Sequence, residues 1–146
     1  MTATNQKAVW QNMASKLKAM GGVSVVQIGE PRDKVAQNTM VAIIPEEGSV
    51  DETVLNAPRE IHTVSLIRYE NWLQEPPENI EFALDSWRAE ICEDIYGDFD
   101  LGGTIAYILP AATKWSYGVV TINNTLYRTL SVSISYRVDP SATFVA

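Results

Sequence analysis

Cysteine and histidine are almost missing from this sequence, which has one of each, Cys92 and His62, in 146 residues. A single cysteine excludes an intrachain disulfide and points to folding in a reducing compartment. One thiol and one imidazole also leave no ligand set for zinc. Cys92 falls among apolar positions of a helical pattern, where a thiol acts as a small inert hydrophobe. No nucleophile stands near His62 at the spacing of a Ser-His-Asp or Cys-His site, so it reads as a surface or hydrogen-bonded histidine. Long apolar runs are missing as well: nothing approaches the roughly 20 residues of a membrane helix. Lys16, Lys18, Gly21 and Gly22 interrupt the apolar stretches near the N-terminus, so no secretory signal is expected there.

Positive charge is scarce, with 11 Lys and Arg against 18 Asp and Glu and a net charge of -7. That balance argues against a protein that grips nucleic acid through its phosphates. There is no phosphate loop, no dinucleotide fingerprint and no nucleophile elbow. Asp98 and Asp100 stand two apart with glycines behind, but Gly102 and then Ile105 or Ala106 occupy the places where a calcium loop needs further oxygen donors. The sequence offers an enzyme nowhere to work, and no cofactor or metal is expected.

What is present is 46% hydrophobic residues, enough for one core and one domain over residues 1–146. TNQKAVWQNMASKLKAMGG places Trp10, Met13, Leu17 and Met20 at helical spacing, with Thr4 or Asn5 to cap the start and Gly21 to end it. VSVVQIGEP and TMVAIIP read as strands, the second a central one because its apolar character is nearly continuous. Residues 46–59, EEGSVDETVLNAPR, read as a long polar loop of the kind that serves a function. IHTVSLIRYENW follows as a strand that Pro76 and Pro77 close. In NIEFALDSWRAEICEDIYG, Ile80, Leu84, Trp87, Ile91 and Ile95 keep to one helical stripe before Gly97. IAYILP is a further short strand or turn.

The chain then gives WSYGVVTI and TLYRTLSVSISYRV, separated by Asn123 and Asn124, residues that tolerate the positive φ of a two-residue hairpin turn. Pairing across that turn puts Trp115, Tyr117 and Val119 on the face of Leu130, Val132 and Ile134. Lys114, Ser116, Gly118, Thr129, Ser131, Ser133 and Ser135 share the other face. A strand face open to water normally carries Lys and Glu. This one carries small hydroxyls and no carboxylate, so it reads as one small polar patch and less as free surface than as a close-packed face. Trp10, Trp87 and Trp115 read as core residues, whereas Trp72 lies beside Tyr69 and two prolines and suits an interface equally well.

The plan is therefore α+β: a mainly antiparallel sheet of about four to five strands, two main helices packed on one face, and a C-terminal β-hairpin. Charge is distributed unevenly over it. From Glu70 to Asp100 there are ten carboxylates against Arg88 alone, a local net of -9 that leaves +2 for the rest of the chain. The acidic helix is either a solvated face or a docking surface for a basic partner, and Glu90, Glu93 and Asp94 sit at the helix end where acidic side chains oppose the dipole.

In this order of elements, over roughly residues 7–138, the chain resembles the tail terminator proteins of long-tailed bacteriophages. The features that carry the resemblance are the N-terminal amphipathic helix, TMVAIIP with the acidic loop behind it, IHTVSLIRY, NIEFALDSWRAEICEDIYG, and a last strand, SVSISYRV, with an aromatic residue shortly before the chain stops. The resemblance implies a non-enzymatic virion protein, assembled in the host cytoplasm and resident in the tail neck. It implies a homo-hexameric ring that caps the head-proximal end of the tail tube, stops tube polymerisation and presents a surface for head-tail joining. The partners it implies are the tail tube protein and the head connector or stopper protein, with genomic DNA passing through unbound. No specific contact carries over from the resemblance; the residues that this sequence itself offers for a subunit or tube interface are Val50, Asp51, Glu52 and Val54 of the acidic loop, with Trp72, Glu90, Glu93 and Asp94. In a ring the polar face of Lys114, Ser116, Thr129, Ser131, Ser133 and Ser135 would pack against a neighbouring subunit or line the lumen. Another neck, connector or tail-completion protein of related fold would carry the same pattern. A small cytosolic binding module, or an enzyme with a dispersed site, is the alternative from a different class.

Overall fold

The computed structural model describes residues 6–20, 22–23, 25–31, 39–51, 59–72, 76–98, 101, 103, 105 and 107–138. Its elements follow in the order α1 (Lys7–Ala19), β1 (Val26–Ile28), β2 (Thr39–Asp51), β3 (Arg59–Asn71), α2 (Pro77–Gly97), β4 (Tyr107–Ile108), a 3₁₀ turn (Pro110–Ala112), β5 (Lys114–Ile122) and β6 (Thr125–Val138). This is an α+β architecture with six strands in one sheet, in the order β1-β2-β3-β6-β4, and β5 also on β6. Among the described strands, only β1 runs parallel to its neighbour. The sheet has one strand more than the four to five expected, because the two-residue β4, within the segment that read as a short strand or turn, joins it.

α2 forms where its apolar residues recur at steps of four, three, four and four: Ile80, Leu84, Trp87, Ile91 and Ile95 are all buried. Pro77 opens the helix, where its missing N–H costs no hydrogen bond, and Glu78 lies in the first turn beside the positive end of the dipole. α1 buries Val9, Met13 and Leu17 at steps of four. Trp10 is a half-buried neighbour of that stripe, and Met20 is buried just past the helix end. Gln6 stands at the N-cap without a side-chain capping bond; the cap residues Thr4 and Asn5 and the stop at Gly21 lie outside the described residues.

These helix residues share one core cluster with Val41, Ile43, Val64, Leu66, Leu130, Val132, Ile134 and Tyr136, which pairing places on a single face of β2, β3 and β6. A smaller cluster of Met40, Ala42, Tyr69 and Tyr127 lies on the opposite face and contains no described helix residue. Burying each large side chain contributes about 1.5–3 kcal/mol, so the first cluster dominates stability.

Beneath α2 the core accepts one ion pair. Arg68 and Glu70, 5% and 8% exposed, meet at 2.6 Å, and Thr39 Oγ1 donates to the other Glu70 oxygen at 2.7 Å. The Arg68 guanidinium lies 5.9 Å from the centre of the Trp87 ring. A buried charge stripped of its partner is costly, so these groups act as a unit.

The long loop expected over residues 46–59 is not what the chain forms. β2 continues through Asp51 and β3 begins at Arg59, opposite it, so the two make a long antiparallel arm with only residues 52–58 between its ends. The register skips Glu46, between Pro45 opposite Val64 and Glu47 opposite Thr63, which marks a β-bulge. The segment looked irregular because residues 45–50 are all exposed and carry no apolar alternation to betray the strand. Its backbone pairing with β3 holds it extended, and Pro45 is tolerated where β2 has lost β1 as its other neighbour.

Candidate interaction surfaces

Three surfaces carry the residues singled out in the sequence. The first is the face of the sheet away from the helices. β5 and β6 pair antiparallel with Ile122 opposite Thr125, Gly118 opposite Thr129 and Lys114 opposite Ser133, across Asn123 and Asn124 with φ of 49° and 66°. Two consecutive positive φ values define the type I′ turn whose twist matches that of the strands. Lys114, Ser116, Gly118, Thr129, Ser131 and Ser133 therefore share one face. Lys114 and Ser116 are exposed, and Gly118, Thr129, Ser131 and Ser133 are half-buried. Ser135 is buried and bound within the chain, its hydroxyl 2.7 Å from that of Thr63 on β3. Ser65, beside it, donates to Glu46. Gly118 keeps this spot uncrowded: a Cβ there would lie 3.2 Å from Thr129 Oγ1, a tight contact from which the Thr129 side chain would have to shift.

The second surface is the outer side of α2, with Glu78, Phe82, Asp85, Ala89, Glu93 and Asp94 exposed and Glu90 half-buried. Phe82 is 68% exposed, an isolated apolar side chain among carboxylates. Cys92 is half-buried on the flank of the helix and not in its core stripe, a position that follows from its offset from Ile91 and Ile95. Near it, burial foremost and Cys92 second push the Tyr96 phenol up to about 12. Asp98, at the helix end, pairs with Lys16 of α1 at 2.9 Å. Its would-be companion Asp100 lies outside the described residues. Among the described residues no group of three His, Cys, Asp or Glu is placed to hold a metal ion.

The third surface is the β2–β3 arm. Val50 is 59% exposed, and with Gly48, Ser49, Glu60 and His62 it lines an open hollow of about 190 Å³. Asp51 pairs with Arg59 at the end of the arm, while Glu52 and Val54 lie outside the described residues. His62 Nε2 is 2.8 Å from Glu60 Oε1, and its ring stacks on Tyr136 at 5.6 Å. The Tyr136 hydroxyl donates to Gln6 Oε1 at 2.6 Å and accepts from Trp10 Nε1 at 3.2 Å. Burial drives the Tyr136 phenol up to about 12, with Glu60 adding to the shift and the Trp10 bond opposing it. His62 thus anchors the base of the arm to α1 through Tyr136. Trp72, just past β3, is half-buried against the main core and donates its backbone N–H to Leu126 O at 3.1 Å.

Sequence reasoning missed a fourth feature. Trp115, placed in the core by pattern, is 48% exposed, as are Tyr117 at 42% and Val119 at 47%. They do lie on the helix side of the sheet, but β5 is an edge strand beyond the reach of the α2 core stripe. Two arginines lie against the two aromatic rings, Arg88 from α2 and Arg128 from β6. Arg88, held by Asp85 at 3.0 Å, lies 4.8 Å from the centre of the Trp115 ring, and Arg128, held by Glu81 at 2.8 Å, lies 5.5 Å from that of Tyr117. The hydrogen bond to Asp85 raises the Arg88 pKa still further. Glu81 and Asp85, one turn apart on the helix and facing aromatics two apart on a strand, were the signal available in the sequence.

No helix among the described residues is long and apolar enough to cross a membrane. No protein-family model matches the chain, and no curated protein matches it.

Proposed function

We propose that the chain is a structural subunit of a long-tailed phage, of tail terminator type: a ring that caps the head-proximal end of the tail tube, halts its growth and offers a surface for head-tail joining. The observation that carries this reading is the face of β5 and β6 away from the described helices, where Lys114, Ser116, Gly118, Thr129, Ser131 and Ser133 make a polar patch of small side chains around one lysine, with no carboxylate among these six. Small hydroxyls let a neighbouring backbone approach closely. Equally, they line a channel through which DNA slides without being held, since strong phosphate binding requires clustered cations. A helix layer on one side of the sheet and a hairpin at its edge fit the same plan.

Two further features support it. The acidic outer side of α2 and the arm of β2 and β3 are unlike surfaces on different elements, which suits the heterologous contacts of a ring. On this reading the subunit is assembled in the host cytoplasm, joins the virion at the tail neck, and meets the tail tube protein on one side and the connector or stopper on the other.

Light scattering and electron microscopy of the purified chain, alone and mixed with the tail tube protein, test the proposal. Rings on the tube end are expected. A chain that forms no ring in either condition overturns it, as does an assembly in which Ser131 and Ser133 face bulk water on the outer rim. Reversing Glu90, Glu93 and Asp94 to lysine tests the acidic face separately: assembly unchanged in the triple variant removes that face from the interface.

A further inference from the structure

β5 has a partner on one side only: β6 takes its inner edge and no described strand takes its outer one. The turn fixes which backbone groups are left over. With two residues in the loop, Ile122 and Thr125 close it as a hydrogen-bonded pair, and bonded pairs then recur at every second position: Val120 with Tyr127, Gly118 with Thr129, Ser116 with Ser131. The peptide groups of Trp115, Tyr117, Val119 and Thr121 consequently point away from β6, toward the open edge.

Sheet edges are normally guarded by charge, proline, a bulge or brevity. β5 runs nine residues with no proline, no register shift against β6, and a single charge, Lys114, at its first position. The residues whose peptides point outward include its exposed apolar ones, Trp115, Tyr117 and Val119.

We propose that this edge pairs with the β5 edge of a second copy of the chain, antiparallel about a twofold axis at Gly118. The strand is self-complementary in that register. Trp115 meets Thr121 of the other copy and Tyr117 meets Val119, so each outward peptide finds an outward peptide. Gly118 meets Gly118, and Lys114 meets Ile122, so no like charges are opposed along the strands. Tyr117 and Val119 form an aromatic to β-branched cross-strand pair, a favourable combination.

The apolar gain is modest. Each half-exposed aromatic has on the order of 100 Å² left to cover, which with the backbone edge puts the contact near the lower limit of specific interfaces, about 1,200 Å². The dimer therefore forms in a concentration-dependent manner. A twofold contact closes at two chains and is distinct from the heterologous contacts of a ring, so the inference does not rest on the ring reading.

Sedimentation velocity of the full chain over a range of concentrations, with no tube protein present, tests it. A monomer–dimer equilibrium is expected, weakened about tenfold or more by Thr121→Lys, which sets a cation beside the partner's Trp115 and Arg88, and by Val119→Pro, which deletes an outward N–H. Phe82→Ser, on the far side of α2, is expected to leave it unchanged. Circular dichroism identifies a variant that fails to fold, and Thr121→Lys, at an exposed position, carries the test if Val119→Pro does so. A chain monomeric at every concentration overturns the proposal, as does a dimer that Thr121→Lys leaves intact or that Phe82→Ser abolishes. None of these outcomes bears on whether rings form on a tube.

Discussion

Trp87 and Trp115 invite comparison, because each has an arginine against its ring and the two sites differ in nearly everything else. Trp87 lies under α2, fully buried, with Arg68 at 5.9 Å and Glu70 neutralising that arginine out of reach of water. Trp115 lies at the sheet edge, 48% exposed, with Arg88 at 4.8 Å and Asp85 behind it. The shorter distance belongs to the weaker site. In a dry core the ring's burial and the uncompensated charge that any breakage leaves behind each cost several kcal/mol, whereas at the surface water stands ready to replace every contact. The first arrangement maintains the fold. The second leaves an aromatic in reach of a partner.

Substitutions should separate the two sites in that order. Trp87→Ala is expected to cost about 3–5 kcal/mol, seen as a large fall in the denaturant midpoint. A loss below about 1 kcal/mol would mean that the stripe repacks and the contrast is false. Glu70→Ala should follow closely at about 3 kcal/mol, because it strands the Arg68 charge under α2. Replacing both Arg68 and Glu70 with apolar residues of similar volume should recover much of that loss.

Alkali offers an intermediate probe. The Tyr136 phenol titrates near 10 in the unfolded chain and about 12 in the folded one, so its contribution is complete below pH 10 and lost as pH rises toward 12. Phenolate absorbance and circular dichroism should show unfolding and ionisation together in that window. Tyr136→Phe should reduce the alkaline sensitivity without abolishing it, because burial raises the Tyr96 and Tyr69 phenols as well.

At the surface the effects shrink. Trp115→Ala should change monomer stability by about 0.5–1 kcal/mol, while reducing self-association. Phe82→Ser should stay within about 0.5 kcal/mol. A Trp115 effect as large as that of Trp87 would place β5 in the core after all.

How much of this could be read in advance depends on how local the deciding interaction is. The α2 stripe was legible because one helix sets its own periodicity: Ile80 through Ile95 face inward whatever they meet. The two faces of β6 were legible for a similar reason, since alternation and a two-residue asparagine turn leave one sensible register. The arm at residues 46–51 was not, because Glu47 opposite Thr63 and Val50 opposite Glu60 are held by backbone bonds to a distant strand, and backbone bonds leave no pattern in side-chain type.

The sequence by itself therefore determined both helices with their inward stripes, the register of the last two strands and a small polar face without carboxylates, all consequences of periods of two and 3.6 residues. Only the tertiary structure decided how far each element reaches. The buried cluster that holds the α2 stripe takes residues from β3 and β6 and none from β5, which leaves Trp115 a surface residue where its pattern promised a core one. The tertiary structure also brought Glu81 and Asp85 over the β5 aromatics through Arg128 and Arg88, and left the outer edge of β5 open. Lateral position within a sheet is set by which strands pair with which, a property of the whole chain that no single segment encodes.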